Sequence, residues 1–398
     1  MRRAALKTGY IPHRFATADF AGTASEYLGQ YKPALPVNFL DYDGLAQTAR
    51  EFVELFPGTV AYAAKVNPTP RALDALHHGG VKSFEVASLP EIQQIKSQFP
   101  NAKMFFMHPV KSPEAIRAAY HDYGVRAFVV DCRAELYRIM KETRLATDLE
   151  LFVRLKLPKN PSAGIDFSSK FGASPTKAAT LLKLCRPVSR KLGIAFHVGT
   201  QTEDPNAYDH AIRIAAKVIE KSDVTVEVLD VGGGFPSRYP GPKLPSLAEY
   251  IAVIKRSIKT HGLSHMDLMC EPGRALVSRN GALAARVERR KGRFLYLNDG
   301  TYGGLFDAGS MRVQLKLDAT LVKKTRSVGK TNQTTEFTLF GPTCDSIDRL
   351  YHTYELPDDV AEGDYIVFGS MGSYCATMRT NFNGFGASDT VWCKDVQA

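Results

Sequence analysis

The stretch AYAAKVNPTP, residues 61–70, runs small and apolar until Lys65, then turns at Asn67 and Pro68. A buried ammonium without a counter-charge is costly, and desolvation drives its pKa down. Lys65 therefore reaches solvent, pairs with an anion or takes part in chemistry. Two other stretches have the character of anion sites. LDVGGGFP sets Gly232, Gly233 and Gly234 in succession after a strand-like run, so that backbone N–H groups can approach an anion with no Cβ in the way. EPGR joins Glu271 to Gly273 and to Arg274, whose guanidinium suits a phosphate. Each has a plainer reading by itself, a tight turn for the glycines and a structural ion pair for EPGR. FHVGTQ adds His197 and Thr200, and a lone histidine is more often a core residue. Phosphate donors beside such a lysine invite a cofactor that carries both a phosphate and an aldehyde. Pyridoxal 5′-phosphate fits, held as a Schiff base to a lysine while a carboxylate tunes its pyridine nitrogen. On this reading Lys65 forms the imine, Glu271 keeps the ring nitrogen protonated and His197 stacks on the ring.

These residues need a scaffold that brings them together. From residue 58 onward, β-branched or aromatic runs alternate with amphipathic stretches that begin at Ser, Pro or Asp. The predicted strands are TVAYAAK, SFEVAS, KMFFMH, AFVVD, LELFVRLKL, IAFHVG, VEVLDV and MDLMCE. Eight such units predict a (β/α)8 barrel of the TIM type, with a doubly wound open sheet as the alternative. Barrels carry their active sites at the carboxyl ends of the strands. The unusual residues fall there in order: Lys65, then Glu85 with Ser88, His108, Asp131, Arg154, His197 with Thr200, the three glycines, and Glu271 with Gly273 and Arg274. After Arg274 the pattern changes to strands such as ALAARVERR, RFLYLND, RVQLKLDATLV, TTEFTLFG and DYIVFGS. The expected division is an N-terminal segment (1–40) whose PVNFLDYD adds a strand to a C-terminal, mostly β domain (276–398), around a barrel domain (41–275).

Composition narrows the class. A chain of 398 residues with 44% apolar content is globular rather than disordered or fibrous. No apolar run approaches the roughly 18 residues that span a bilayer, and the amino terminus has no signal-peptide h-region, so a cytoplasmic setting is expected. Six cysteines without CxxC spacing read as reduced thiols rather than a disulfide framework or a metal site. The formal charge of +10 is dispersed, with local clusters at ERRKGR (288–293) and LVKKTR (321–326) but no nucleic-acid motif. Neither nucleic acid nor membrane is an expected partner.

In this order AYAAKVNPTP, SFEVASLPEI, KFGAS, FHVGTQ, LDVGGGFP, EPGR, GPTCDSID and FNGFG resemble the alanine-racemase-like, fold type III decarboxylases of basic amino acids, the ornithine and lysine decarboxylase group. The resemblance covers about residues 36–386. It implies Lys65 as the Schiff-base lysine, His197 as the stacking histidine and Glu271 as the partner of the ring nitrogen. Phosphate would be held by Thr200, Gly233, Gly234, Gly273, Arg274 and Tyr374, while Glu85, Glu91 and Arg154 support the cofactor and its lysine. Cys344 resembles the acid that protonates Cα after carbon dioxide leaves, Asp345 a ligand of the distal amine, and Phe382 and Tyr302 the pocket lining. The family also implies a homodimer whose active sites lie at the interface, with the Cys344 loop reaching the neighbour's cofactor. Three departures bear on the substrate. Glu85 stands where aspartate is common and Thr200 replaces a usual serine. Met311 occupies the position of a distal-amine aspartate, leaving Asp307 as the nearest replacement. Ornithine is the first expectation, lysine the second, and a specialised or conjugated diamino acid the third. An amino-acid racemase, a diaminopimelate decarboxylase and a non-catalytic regulator are rivals that Glu271, Asp345 and the retained Lys65 and Cys344 respectively argue against.

Overall fold

Eight parallel strands close a barrel in a computed structural model that describes residues 17–309, 313–324 and 333–396. They are β1 (Thr59–Ala63), β2 (Ser83–Val86), β3 (Lys103–Phe106), β4 (Ala127–Val130), β5 (Glu150–Arg154), β6 (Lys191–Ala195), β7 (Val228–Asp230) and β8 (Asp267–Cys270). Each corresponds to one of the eight sequence runs, and β8 closes the ring by pairing Met269 and Cys270 with Thr59 and Val60 of β1. The main intervening helices are α1 (Pro70–His78), α2 (Leu89–Gln98), α3 (Pro113–His121), α4 (Arg133–Glu142), α5 (Pro175–Cys185), α6 (Asn206–Ser222) and α7 (Leu247–Thr260). Their starts are chemically marked. Proline opens α1, α3 and α5, where its missing N–H costs nothing. Ser112 accepts from Ala115 N–H, and Ser246 forms a reciprocal capping box with Glu249.

Large and small side chains alternate inside the ring: Phe105, Met107, Phe152 and Met269 interlock with Ala61, Ala127, Val129, Ala195 and Val228. Gly193 on β6 is part of that fit, since a Cβ there would come within 2.5 Å of the Phe152 ring. The compact barrel unit comprises Tyr42–Asn280 and a short return of the chain, Gly372–Thr377.

The second compact unit holds the remaining residues and is built on a nine-stranded sheet. Val37–Leu40, from PVNFLDYD, lies inside this sheet, antiparallel to Gly281–Lys291 and parallel to Asp389–Trp392. Val37 and Phe39 pack with Ala282, Ala284, Tyr365, Val367 and Val391 in its core. The basic stretch 288–293 is a hairpin in which Arg290 lies over Phe337 at 5.1 Å and donates to the carbonyls of Asp358 and Val360. None of the six cysteines forms a disulfide. Among the described residues, no helix is long and apolar enough to cross a membrane.

Some local expectations change. Lys65 does not end β1, which stops at Ala63; the lysine sits in a 3-10 turn, Ala64–Val66, because the chain leaves the ladder to bond elsewhere. RVQLKLDATLV is a strand only at Ala319–Val322: Gln314 has φ +57°, which no strand residue can adopt, and Arg312 lies outside the described residues. Thr17–Asp19, Tyr354–Pro357 and Asp389–Trp392 are further strands that the sequence pattern did not mark.

In the second unit, Arg379 and Asp299 form a buried ion pair at 2.6 Å, with side chains 3% and 1% exposed. Asp299 also accepts from the N–H groups of Gly300 and Gly304, and Thr380 donates to the Tyr302 carbonyl, so this pair holds the loop that carries Tyr302. Arg379→Met leaves a buried carboxylate uncompensated and is expected to cost about 3–5 kcal/mol, read as a lowered denaturation midpoint; a loss below about 1 kcal/mol, the worth of a surface pair, would show that the pair is not structural.

Candidate active site

The turn that carries Lys65 is clamped from a distant part of the chain. Asn67 Nδ2 donates to the Gly372 carbonyl at 2.9 Å, and Tyr374 N–H donates to the Val66 carbonyl at 2.9 Å. Tyr374 has φ +60°, so its backbone is held in a left-handed conformation to make this contact. Lys65 Nζ then donates to Glu85 Oε2 at 2.6 Å. The Glu85 side chain is 4% exposed and that of Lys65 48%, but the Lys65 opening is into a cavity that it lines, so the amine is enclosed without being packed. Burial works to lower the amine's pKa, yet Glu85, Tyr374 and Glu271 outweigh it and hold it above the ordinary lysine value.

This cavity, of about 250 Å³, is lined by the barrel unit alone. Four cations, Lys65, Arg154, Lys170 and Arg274, face two carboxylates, Glu85 and Glu271, a balance that favours an anionic occupant. Gly232 and Gly234 have φ values of +69° and +101°, and a Cβ on Gly233 would lie 2.7 Å from the Glu271 carbonyl and 3.0 Å from His197 Nε2. The glycine run therefore makes a cradle that side chains would fill. Arg274, 5% exposed, donates to Tyr239 and Ser373 hydroxyls at 3.1 Å and lies over the Tyr374 ring at 5.0 Å. Thr200, Gly234, Gly273 and Tyr374 line the same cavity. Thr200 begins a two-stranded flap in which Thr200 pairs with Ile165 and Thr202 with Ala163.

His197 borders the cavity with Phe167 edge-on to it at 5.1 Å. Burial, followed by the Arg154 and Lys65 charges, drives its pKa well below the usual histidine range, so the ring is neutral. Its Nδ1 accepts from Gly199 N–H at 3.0 Å, which leaves the ring proton on Nε2. Glu271 is also buried, and its Oε1 has no protein donor among the described residues. An orphaned carboxylate oxygen, a glycine cradle and a lysine on an anion together fit a pyridine ring with a phosphate and an aldehyde.

Lys65, Glu85, Arg154, His197, Thr200, Gly233, Gly234, Glu271, Gly273, Arg274 and Tyr374 thus come together around one cavity. Glu91 is not among the lining residues: its carboxylate accepts from Ala87 N–H at 2.7 Å, bracing the chain at the start of α2. Ser88 caps that same helix, and Asp131 accepts from Gly172 N–H, so neither strand-end residue points to the chemistry. His108 does line the cavity, beside Phe171, as do Phe167 and Lys170 of the loop that contains KFGAS. The periodic pattern gave no sign of that loop, and only the quoted motif marks it. Asn67 and Asp230 carry no role in the sequence reading, although each lies inside a quoted motif.

Tyr302, Asp307, Cys344, Asp345 and Phe382 belong to the second unit. Tyr302 O–H donates to Asp345 Oδ2 at 2.6 Å, and its ring lies 4.9 Å from that of Phe382. The Tyr302 hydroxyl, then the Ile347 N–H, hold Asp345 below its ordinary pKa, so its carboxylate stays charged. Cys344 is exposed, with its N–H on Asn383 Oδ1 at 3.1 Å. Asp307 is 5% exposed within a short turn, Phe306–Ala308. Met311 lies outside the described residues.

Residues 43–278 match the family described as pyridoxal-dependent decarboxylase, pyridoxal binding domain. An ornithine decarboxylase of Nicotiana glutinosa, described as chloroplastic, is 32% identical over 83% of this chain and 77% of its own length. A lysine/ornithine decarboxylase of Selenomonas ruminantium is 31% identical over 84% of both chains. The crystal structure of a lysine/ornithine decarboxylase from Vibrio vulnificus, complexed with putrescine, superposes with a TM-score of 0.77 at 29% identity, covering 92% of this chain and 96% of that one.

The Lys65 amine must lose its proton before it can attack an aldehyde, and a pKa held above the ordinary value keeps it protonated at neutral pH. Well below its pKa, the neutral fraction of an amine rises about tenfold per pH unit. Capture of pyridoxal 5′-phosphate by cofactor-free protein, followed by absorbance, is expected to accelerate about tenfold between roughly pH 7 and 8. Glu85→Gln removes the main counter-charge and leaves burial, which lowers the pKa, so most of that slope should vanish; an unchanged slope would show that Glu85 does not hold the proton. Lys65→Ala should retain no cofactor through gel filtration.

Proposed function

The chain belongs to the pyridoxal-dependent decarboxylases, and on that premise we propose that its substrate is a diamino acid, L-ornithine before L-lysine, released as putrescine and carbon dioxide. The observation that carries the substrate class is Asp345, a charged carboxylate beside Tyr302 and Phe382 that suits a distal ammonium next to an apolar carbon chain. Lysine stays as the second reading because the relative from Selenomonas ruminantium is named for both amino acids.

Pyridoxal 5′-phosphate, when bound, supplies the aldehyde that takes the substrate amine and the electron-poor ring that holds the electron pair left by departing carbon dioxide. The residues of this chain do the rest. Lys65 anchors the cofactor, yields to the substrate α-amine and returns at the end. Thr200, Gly233, Gly234, Gly273, Arg274 and Tyr374 hold the phosphate. His197, neutral and fixed by Gly199, gives an uncharged wall, and Glu271 keeps a proton on the ring nitrogen. Cys344 hands its thiol proton to Cα once carbon dioxide has left. In the homodimer that this reading includes, a second copy supplies Cys344 and Asp345 to each cavity.

Incubation of the cofactor-loaded protein with ornithine, lysine, arginine and diaminopimelate in turn should give putrescine fastest, identified by mass; faster cadaverine would reverse the order of substrates, and loss of optical activity without carbon dioxide would replace decarboxylation by racemisation. Asp345→Ala should raise the KM for ornithine roughly 10- to 100-fold, the worth of one charged hydrogen bond. Cys344→Ala should keep the cofactor and lose most amine production. Mixing it with Lys65→Ala should restore roughly a quarter of wild-type activity if each site draws on two copies, and none if a single chain is complete.

A further inference from the structure

Asp230 ends β7 and Glu271 directly follows β8, the strand paired with it, and Glu271 N–H donates to the Gly232 carbonyl at 2.8 Å. Both carboxyl groups are buried, Asp230 at 0% exposure and Glu271 at 6%. Asp230 Oδ1 accepts from Gly232 N–H at 2.8 Å, which bends the chain into the glycine run. After burial, the Asp230 charge is the largest influence that raises the Glu271 pKa. Asp230 Oδ2 and Glu271 Oε1 have no N–H or O–H donor from the protein among the described residues. Two buried carboxylates at the ends of adjacent strands, each with an oxygen that lacks a donor, do not both ionise. Only Glu271 lines the cavity; Asp230 stands behind it.

The structure points to Asp230 as a positioning residue of the cofactor site: we propose that it shares one proton with Glu271, fixes that carboxyl group, and makes cofactor binding expel the proton. The inference rests on Glu271 as the partner of the ring nitrogen and does not depend on which amino acid is the substrate. A cationic ring N–H at Glu271 competes for the same carboxylate, so the shared proton leaves to solvent as the site fills. Around the pair stand Arg154 on β5, Lys65 and Glu85 beyond β1 and on β2, and Cys270 on β8. Arg154 and Lys65 favour the ionised pair once the proton has gone, and Glu85 opposes it. Burial is the leading influence on both acids and raises both, while Gly232 N–H favours ionisation of Asp230 and leaves the proton toward Glu271.

The test counts protons rather than turnover. Cofactor-free protein is titrated with pyridoxal 5′-phosphate by calorimetry in two buffers of different ionisation heat, which gives the protons released per site. Wild type should release about one proton more than Asp230→Asn, whose amide can donate to Glu271 and accept from Gly232 without carrying a shared proton. Equal counts in the two proteins would overturn the proposal. Should Asp230→Asn fail to fold, wild type is titrated with a phosphorylated benzaldehyde of the same substitution, lacking the ring nitrogen. That analogue should release about one proton less, and an equal release would again overturn the proposal. Glu271→Gln separates the two assignments: if it binds pyridoxal 5′-phosphate with the wild-type affinity and proton count, the role given to Glu271 fails, whereas a changed Glu271→Gln beside an unchanged Asp230→Asn sinks Asp230 alone.

Discussion

The contact between Lys65 and Glu85 sets the terms for the rest of the barrel unit. A lysine that is to react must be enclosed, yet an enclosed ammonium without a counter-charge is unstable. Glu85 satisfies the charge, and the cavity keeps the amine from being packed in. Such a group needs a backbone that cannot drift. The turn at Ala64–Val66 is therefore bonded on its far side by Gly372 and Tyr374, and the same short return brings Ser373 to Arg274. One segment thus braces both the lysine and the cation expected at the phosphate.

Parallel strands explain why so many polar groups meet there. Each strand is buried along its length by the interlocked large and small residues of the ring, so polar side chains are tolerated only where the strands run out. Lys65, Arg154, His197 and Glu271 all follow or end a barrel strand, and Glu85 is the last residue but one of β2. The electrostatics differ from one end to the next: His197 is kept neutral by burial and by its cationic neighbours, whereas Lys65 is kept charged by a carboxylate. Enclosure acts on both, and the sign of the nearest charge decides the outcome.

The eight barrel strands were legible because each is a continuous β-branched or aromatic run bounded by turn residues. Strand-end chemistry was legible for the same reason, since a lysine or glutamate after such a run stands out. What escaped was conformation that depends on distant partners. Gln314 breaks an apparently good strand through a left-handed backbone. Asp307 looks like an available acid and is buried in a turn. Glu91 and Ser88 stand close to Glu85 in sequence, but they serve the start of a helix. Asp230 looks like the last residue of a strand, and only the position of Glu271 just past the next strand makes it part of the site.

The return at Gly372–Thr377 also bears on the order in which the protein is made. Asn67 and Gly372 are 305 residues apart in sequence, yet they are hydrogen-bonded. A chain emerging from the ribosome has all eight barrel strands long before it has Tyr374, and domains tend to fold as units during synthesis. The barrel can thus close early, while the turn at Lys65 gains its brace only when translation is nearly over. Birth of the reactive lysine is in this sense delayed: a chain truncated before Gly372 would keep the ring and lack the lock on its amine.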